Sequence, residues 1–242
     1  MFFPDSHRYS LVFRTSSKSL NISTHIKSLA MHTIDIIMKR RSIRKFKKKA
    51  VPWDNIVSMI NCALHAPAAG NVFNAKFITI RDPQNKKEVA EACHHQMWMA
   101  EAPLLIAIIG EPEHQKRYYG SRGEKLYTIQ NCAACAMNII IAGEALGLGS
   151  CWVSSFDEDE LRRNFGLPEQ VNVHVIVAIG FPDEKPHRPQ KQWPKAAIFL
   201  EKWWAGRKWP AYGYYSQNVM KATKHLQRHA GKLADKAGDA VK

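Results

Sequence analysis

The sequence predicts an α+β domain, on three observations. Leu104 to Ile109 and Val173 to Ile179 are short, continuous apolar runs, which suits buried strands. A long segment from about Leu126 to Leu146 carries Ala133, Ala134, Ala136, Met137, Ile140, Ile141 and Ala145. It is apolar on more than one face, as a central or interfacial helix is. Shorter segments with helical spacing surround these runs, and no internal repeat is visible. The expectation is three or four strands, a core helix and several flanking helices. A chain of 242 residues is long enough for one sizeable core without a second domain.

Residues 1–30 hold one acid, Asp5, among many Ser, Arg and Lys, and read as a poorly ordered extension ahead of Met31. Thr33 can cap a helix that turns Ile34, Ile37 and Met38 inward. Val51-Pro52-Trp53-Asp54 opens a second helix, with Ile56, Met59, Ile60, Ala63 and Leu64 at helical spacing, and Pro67 ends it. Ala68-Ala69-Gly70-Asn71 is a small-residue turn, and Lys76 to Arg81 reads as a strand. Asp82-Pro83 starts a helix expected to end near Met99. Gly120 to Gly123 reads as a loop before the long helix, which Gly147-Leu148-Gly149 stops. Cys151 to Val153 is a short strand. Asp157 and Glu160 have capping-box spacing before Leu161 to Phe165, and Gly166 ends that helix. Gly180-Phe181-Pro182 closes the last strand. The expected domain covers 31–215, and the Lys- and Ala-rich residues 216–242 form a basic tail.

Arg40-Arg41-Ser42-Ile43-Arg44-Lys45-Phe46 concentrates three arginines and a serine within five positions. A guanidinium is a planar fork that matches phosphate oxygens two at a time, and a serine hydroxyl adds a neutral donor. The plainer alternative is that basic residues favour the last turn of a helix, facing the negative end of its dipole.

The formal net charge of +14 raises the question of an anionic partner. The excess sits in short clusters, Arg40 to Lys49, Lys185 to Lys208 and the tail from Lys221. No basic helix with interleaved aromatics reads as a groove binder, so nucleic acid is weighted low. Five scattered cysteines do not form a secreted disulfide framework. Cys132 and Cys135 lie inside the long helical pattern without a second pair, so two core thiols are expected rather than zinc, and no metal site is assigned. His94-His95 beside Met97-Trp98-Met99 reads as helix surface plus core, since adjacent helical side chains point about 100° apart. No run of about 18 apolar residues marks a membrane span.

Four stretches now line up in order: Arg40 to Phe46, Ala66-Pro67-Ala68-Ala69-Gly70-Asn71, Gly147-Leu148-Gly149-Ser150-Cys151-Trp152-Val153, and Ala178 to Pro182 with Arg188-Pro189 beyond. With Arg122-Gly123 and Leu126 to Gln130 at the entry to the long helix, they resemble the nitroreductase family over about Ile34 to Trp204. Neither glycine signature of a Rossmann or P-loop site occurs. The resemblance implies a mostly antiparallel central sheet flanked by helices, with the long helix at the interface of a homodimer. It implies FMN in each of two interface clefts, and NADH or NADPH as the electron donor. Arg40, Arg41, Ser42 and Arg44 would hold the FMN phosphate and neighbouring oxygens, and Arg188 would close on the same phosphate. Asn71, with Ala69 and Gly70, would face the flavin from the partner subunit. Trp152, Val153, Ser154 and Ser155 would run along the ring edge, the Ser154 N–H near flavin N5.

Many relatives carry Gln-Pro-Trp where this chain reads Phe73-Asn74-Ala75, so Asn74 stands as the substitute at the pyrimidine edge. Ser154 stands where some relatives carry glutamate. Cys151-Trp152 could equally be plain core. Trp203, Trp204 and Trp209 could cap the site or pack a C-terminal arm across a partner. No acid, base or nucleophile is required of the chain, because the flavin carries the chemistry. The reading is a cytoplasmic, FMN-dependent NAD(P)H oxidoreductase, reducing small electron-poor acceptors such as nitroaromatics or quinones by alternating steps. Its rivals are a dehalogenase or flavin-fragmenting relative, and a non-catalytic flavin- or nucleotide-binding protein.

Overall fold

The computed structural model describes residues 33–192 and 197–203. The expected extension 1–30, the tail 216–242, Trp204 and Trp209 lie outside the described residues. The chain divides into two compact units, Met1–His187 and Arg188–Lys242, each taken by itself. In the second, Phe199 stacks on Trp203 with centroids 4.5 Å apart.

In the first unit, helix α1 (residues 33–39) and an extended arginine segment precede helix α2 (Trp53–Leu64). Then follow strand β1 (Ala75–Ile80), α3 (Pro83–Ala92), β2 (Leu104–Gly110) and α4 (Pro112–Arg122). The central helix α5 (Thr128–Ala145), β3 (Gly149–Val153), α6 (Glu158–Phe165) and β4 (Asn172–Gly180) complete it. The described strands form one antiparallel sheet in the order β1-β2-β4-β3.

The central strands β2 and β4 are buried along almost their whole length, which is why they read as continuous apolar runs rather than alternating ones. Leu104, Ile106, Ile108, Val175, Val177 and Ile179 face α2 and α5. Leu105, Ala107, Ile109, Ile176 and Ala178 face α3 and α6. Between Ile108 and Ile109 the β2–β4 register shifts, leaving His174 as the extra residue of a bulge. Val173 thereby joins the α3/α6 side.

The stretch Pro112–Ala145 reaches the length and apolar composition of a membrane span. Its residues Cys132, Cys135, Ala136, Ile139 and Ile140 instead pack in the core against the sheet. Burial pushes the Cys132 thiol up to about 12 and the Cys135 thiol up to about 11, so both stay protonated core groups.

Three local expectations change. The third helix stops at Ala92 rather than near Met99, because His94 and His95 both adopt left-handed backbone (φ 57° and 56°). Residues 120–123 are not a simple loop. A helix, α4, leads into them, kinks at Gly120 (φ 57°), and passes through a wide π turn, Gly123–Tyr127, into α5. Ile34, Ile37 and Met38 of α1 point outward, between 50% and 63% exposed in the single chain.

Candidate functional site

The arginine segment is extended and clamped at both ends. Ser42 bridges Ser150 at the start of β3, and the Ile43 N–H donates to the Ser150 carbonyl at 2.9 Å. Phe46 bridges Pro182, and the Lys47 N–H donates to the Phe181 carbonyl at 2.9 Å. Ile43 is buried against Gly149, where an added Cβ would lie 2.6 Å from Ile43 Cγ1. That contact is why a glycine stands here.

Extended backbone sends alternate side chains to opposite sides. Ser42 and Arg44 on that segment, and Arg40 at the end of α1, lie near the Cys151 thiol. Burial pushes that thiol up, and Arg44, Ser42 and Arg40 pull it down. Arg41 Nη1 donates to the carbonyls of Met38 (3.3 Å) and Arg40 (2.7 Å), and its charge, like that of Arg40, is felt by Glu144. Arg41 is thus the helix-end residue of the plainer reading, satisfying carbonyls after α1.

Glu184 meets the segment at its backbone and also feels the Arg44 and Lys45 charges. Its Oε1 accepts the backbone N–H groups of Arg44 (2.5 Å) and Lys45 (3.0 Å), which holds its carboxyl below the usual range. The Arg44 guanidinium lies 5.8 Å over the Trp98 ring. Among the described residues no carboxylate forms an ion pair with Arg40, Arg41 or Arg44. Two guanidiniums without an ion-pair partner among the described residues, and a hydroxyl beside them, are a donor set for a dianion such as a phosphate monoester, with the Glu144 and Glu184 carboxylates at its margin.

β3 leads away from this cluster. Cys151 and Val153 point into the core, and Trp152 points out, 37% exposed. Ser154 and Ser155 follow in exposed coil.

The turn Ala69–Asn71 is tight: Gly70 (φ 60°) and Asn71 (φ 57°) are both left-handed. Tyr119 of α4 lies over it. A Cβ on Gly70 would sit 2.0 Å from the Tyr119 hydroxyl, so a larger residue there would have to displace the Tyr119 ring as well as hold a positive φ. Tyr119 in turn meets Tyr127 edge-on, with centroids 5.2 Å apart. Below the turn, Asn131 Oδ1 accepts the Ala69 N–H at 3.1 Å. Gln115 Nε2 donates to the Val72 carbonyl at 2.7 Å.

Asn74 is not the pyrimidine-edge residue. It is fully buried, and its amide donates to the Glu111 carbonyl (3.1 Å) and Thr128 Oγ1 (3.0 Å) while accepting from Asn131 (2.8 Å). Both of its donors are used inside the protein. Asn131, Gln115, Tyr119 and Glu184 were not singled out from sequence. Gln115 and Tyr119 lie on the missed helix α4, and Asn131 is one polar residue in an apolar helix, which was the available signal.

The arginine cluster and the Ala69–Asn71 turn lie far apart in one chain. Asn131 of α5 touches the turn. Glu144, thirteen residues on (144 − 131), feels the charges of Arg40 and Arg41. At 1.5 Å per residue that is roughly 20 Å along the helix. The turn also leads into edge strand β1, whereas the cluster bridges the opposite edge strand, β3. Arg188 is exposed and opens the second unit.

The model of the nitroreductase family matches residues 37–100 and 94–181. The chain belongs to the nitroreductase family. A relative from Archaeoglobus fulgidus, provisionally named NADH dehydrogenase/NAD(P)H nitroreductase, is 30% identical over 70% of this chain and 98% of that protein. An FMN reductase (NADPH) from Bacillus subtilis is 22% identical over 70% of this chain and 73% of its own. Among solved structures, an FMN-dependent nitroreductase from Clostridium difficile superposes with a TM-score of 0.61 at 23% identity, covering 70% of this chain and 99% of that one. That likeness establishes the nitroreductase fold. The family match spans the arginine segment, the Ala69–Asn71 turn and β3.

Proposed function

We propose that this nitroreductase-family chain is an FMN-dependent oxidoreductase that takes electrons from NADH or NADPH and delivers them to a small electron-poor acceptor. Nitroaromatics and quinones are the acceptor classes it fits. The observation that carries the reading is the pair of guanidiniums, Arg40 and Arg44, without an ion-pair partner among the described residues, beside Ser42 at the start of β3. The names of the relatives support the same cofactor and donors.

Bound FMN supplies the hydride chemistry. Arg40 and Arg44 offset the phosphate charge, and Ser42 donates to one of its oxygens. Trp152 and the peptide groups of Ser154 and Ser155 line the ring edge, where an N–H favours the charge that reduction adds. Ala69, Gly70 and Asn71 face the ring from a second copy of the chain, because the turn stands roughly 20 Å from its own arginine cluster, by the helical rise above. The exposed apolar residues Ile37, Trp53, Val57, Leu64 and Met137 supply a face for that homodimer. All five cysteines are free, in keeping with a reducing compartment such as the cytoplasm.

The test is the absorbance spectrum of the native protein. A yellow protein whose flavin band bleaches anaerobically with NADH or NADPH and returns with a quinone is expected. A colourless protein that neither takes up FMN nor oxidises a nicotinamide would sink the reading. Bound flavin that no nicotinamide reduces would leave a binding protein.

A further inference from the structure

A buried amide scaffold lies under the Ala69–Asn71 turn and is separate from the groups assigned to FMN above. Asn131, Asn74, Gln115 and Thr128 are each 4% exposed or less. Asn131 sits at the centre. Its Oδ1 accepts the Ala69 N–H at 3.1 Å, and its Nδ2 donates to Asn74 Oδ1 at 2.8 Å and reaches the Val72 carbonyl at 3.5 Å. The Asn74 amide is fixed in turn by the Glu111 carbonyl and Thr128 Oγ1. The chain therefore sets which end of the Asn131 amide meets the turn.

The turn needs such support. Two successive residues, Gly70 and Asn71, hold left-handed backbone, and a non-glycine residue persists there where its surroundings over-determine it. Gln115 holds the carbonyl at the far side of the turn, and Asn131 holds the amide at its start. Without the Asn131 acceptor, the Ala69 N–H loses its partner and the turn loses one of its two anchors.

We propose that Asn131 is the positioning residue of the site: it fixes the direction in which Asn71 meets the FMN bound to the partner copy. This rests on the flavin reading above. Asn131 touches no cofactor itself; it acts through Ala69.

The test compares Asn131→Ala with Lys86→Met in the flavin-loaded protein. Lys86 is buried on the α3 side of the sheet and donates to the Ala102 carbonyl at 2.7 Å. Its loss removes one buried hydrogen bond away from the site. Both variants are expected to melt earlier. Asn131→Ala alone should weaken FMN binding tenfold or more by flavin fluorescence, and shift the midpoint potential of the bound flavin. An Asn131→Ala protein whose FMN affinity or bound-flavin potential matches that of Lys86→Met overturns the proposal. If Asn131→Ala does not fold, Asn131→Ser, too short to reach Ala69, is judged by the same two measurements. Parent protein that binds no FMN removes the flavin reading itself. Parent protein that binds FMN with an indifferent Asn131→Ala removes only the positioning role.

Discussion

Arg41 differs from Arg40 and Arg44 in spending its Nη1 on two carbonyls, and this gives the first prediction. Arg40→Ala or Arg44→Ala should weaken FMN ten- to a hundredfold, since a charge-assisted hydrogen bond is worth about 1.5–3 kcal/mol. Arg41→Ala should affect FMN affinity less than either change while lowering the melting temperature, as a cation at a helix C-terminus contributes about 0.3–1 kcal/mol. Titration of the apoprotein with FMN reads both, and equal losses in all three variants would put Arg41 in the anion site with Arg40 and Arg44. Glu184 gives a pH prediction. Its folded carboxyl is held below its ordinary value by the Arg44 and Lys45 N–H groups, so its contribution is present above the unfolded value, near 4.3. It is lost as pH falls through the folded value. The stability difference between parent and Glu184→Gln should therefore be constant above about pH 5 and close below it. A difference that persists unchanged into strong acid would show that the carboxylate charge is irrelevant there.

Two elements decide how the cluster is presented. The first is the contact of Ile43 on Gly149. Gly149→Ala puts a methyl into Ile43 and should cost about 1–3 kcal/mol as an overpacked site. It should also loosen FMN, because Ser42 is carried on the same bridge to Ser150. Adding Ile43→Ala should recover part of the FMN affinity, and no recovery would separate the bridge from binding. The second element is the coil after β3. Ser154→Ala keeps its peptide N–H and should leave flavin reduction nearly unchanged. Ser154→Pro or Ser155→Pro deletes a donor and fixes φ near −65°. The variant that removes the N–H at the ring edge should slow reduction about a hundred- to a thousandfold, by analogy with an oxyanion donor. FMN content and thermal unfolding are checked first. Normal reduction in both folded, flavin-loaded proline variants would remove this segment from the ring.

At the scale of the whole molecule, the proposed function makes the arginine cluster and the Ala69–Asn71 turn two half-sites, roughly 20 Å apart in one chain by the rise of α5. FMN binding and dimerisation should therefore be lost together. Val57 of α2 is exposed in the single chain, and Val57→Glu places a charge on the apolar face. Light scattering should show a parent dimer and a largely monomeric variant, with FMN affinity falling in parallel. A stable interface of this kind buries about 2,000 Å² or more, so one buried charge is a severe perturbation. A monomer that keeps tightly bound FMN would refute the shared site.

Much of the fold was legible because its signals are local. The runs at Leu104 and Val173 are continuous because both faces of β2 and β4 are covered. Asp82 and Asp157 cap α3 and α6 through their own side chains, and Gly166 ends α6 in left-handed backbone. The order of the arginine segment, the small-residue turn and β3 was also in the sequence, and with it the family. Helix α4 was not legible, because His114, Gln115, Lys116 and Arg117 give no apolar stripe. Nor was the allocation of side chains. Whether an arginine faces an anion or a carbonyl, and whether Asn74 meets solvent or Asn131, depends on partners distant in sequence. Asn131 lies 62 positions from Ala69, and only folding α5 across the sheet brings its amide beneath that turn. The sequence by itself determined the strands, the central helix and the order of the chemistry-bearing segments. The tertiary structure alone decided which polar groups remain free, because each buried donor must find its acceptor wherever packing puts one.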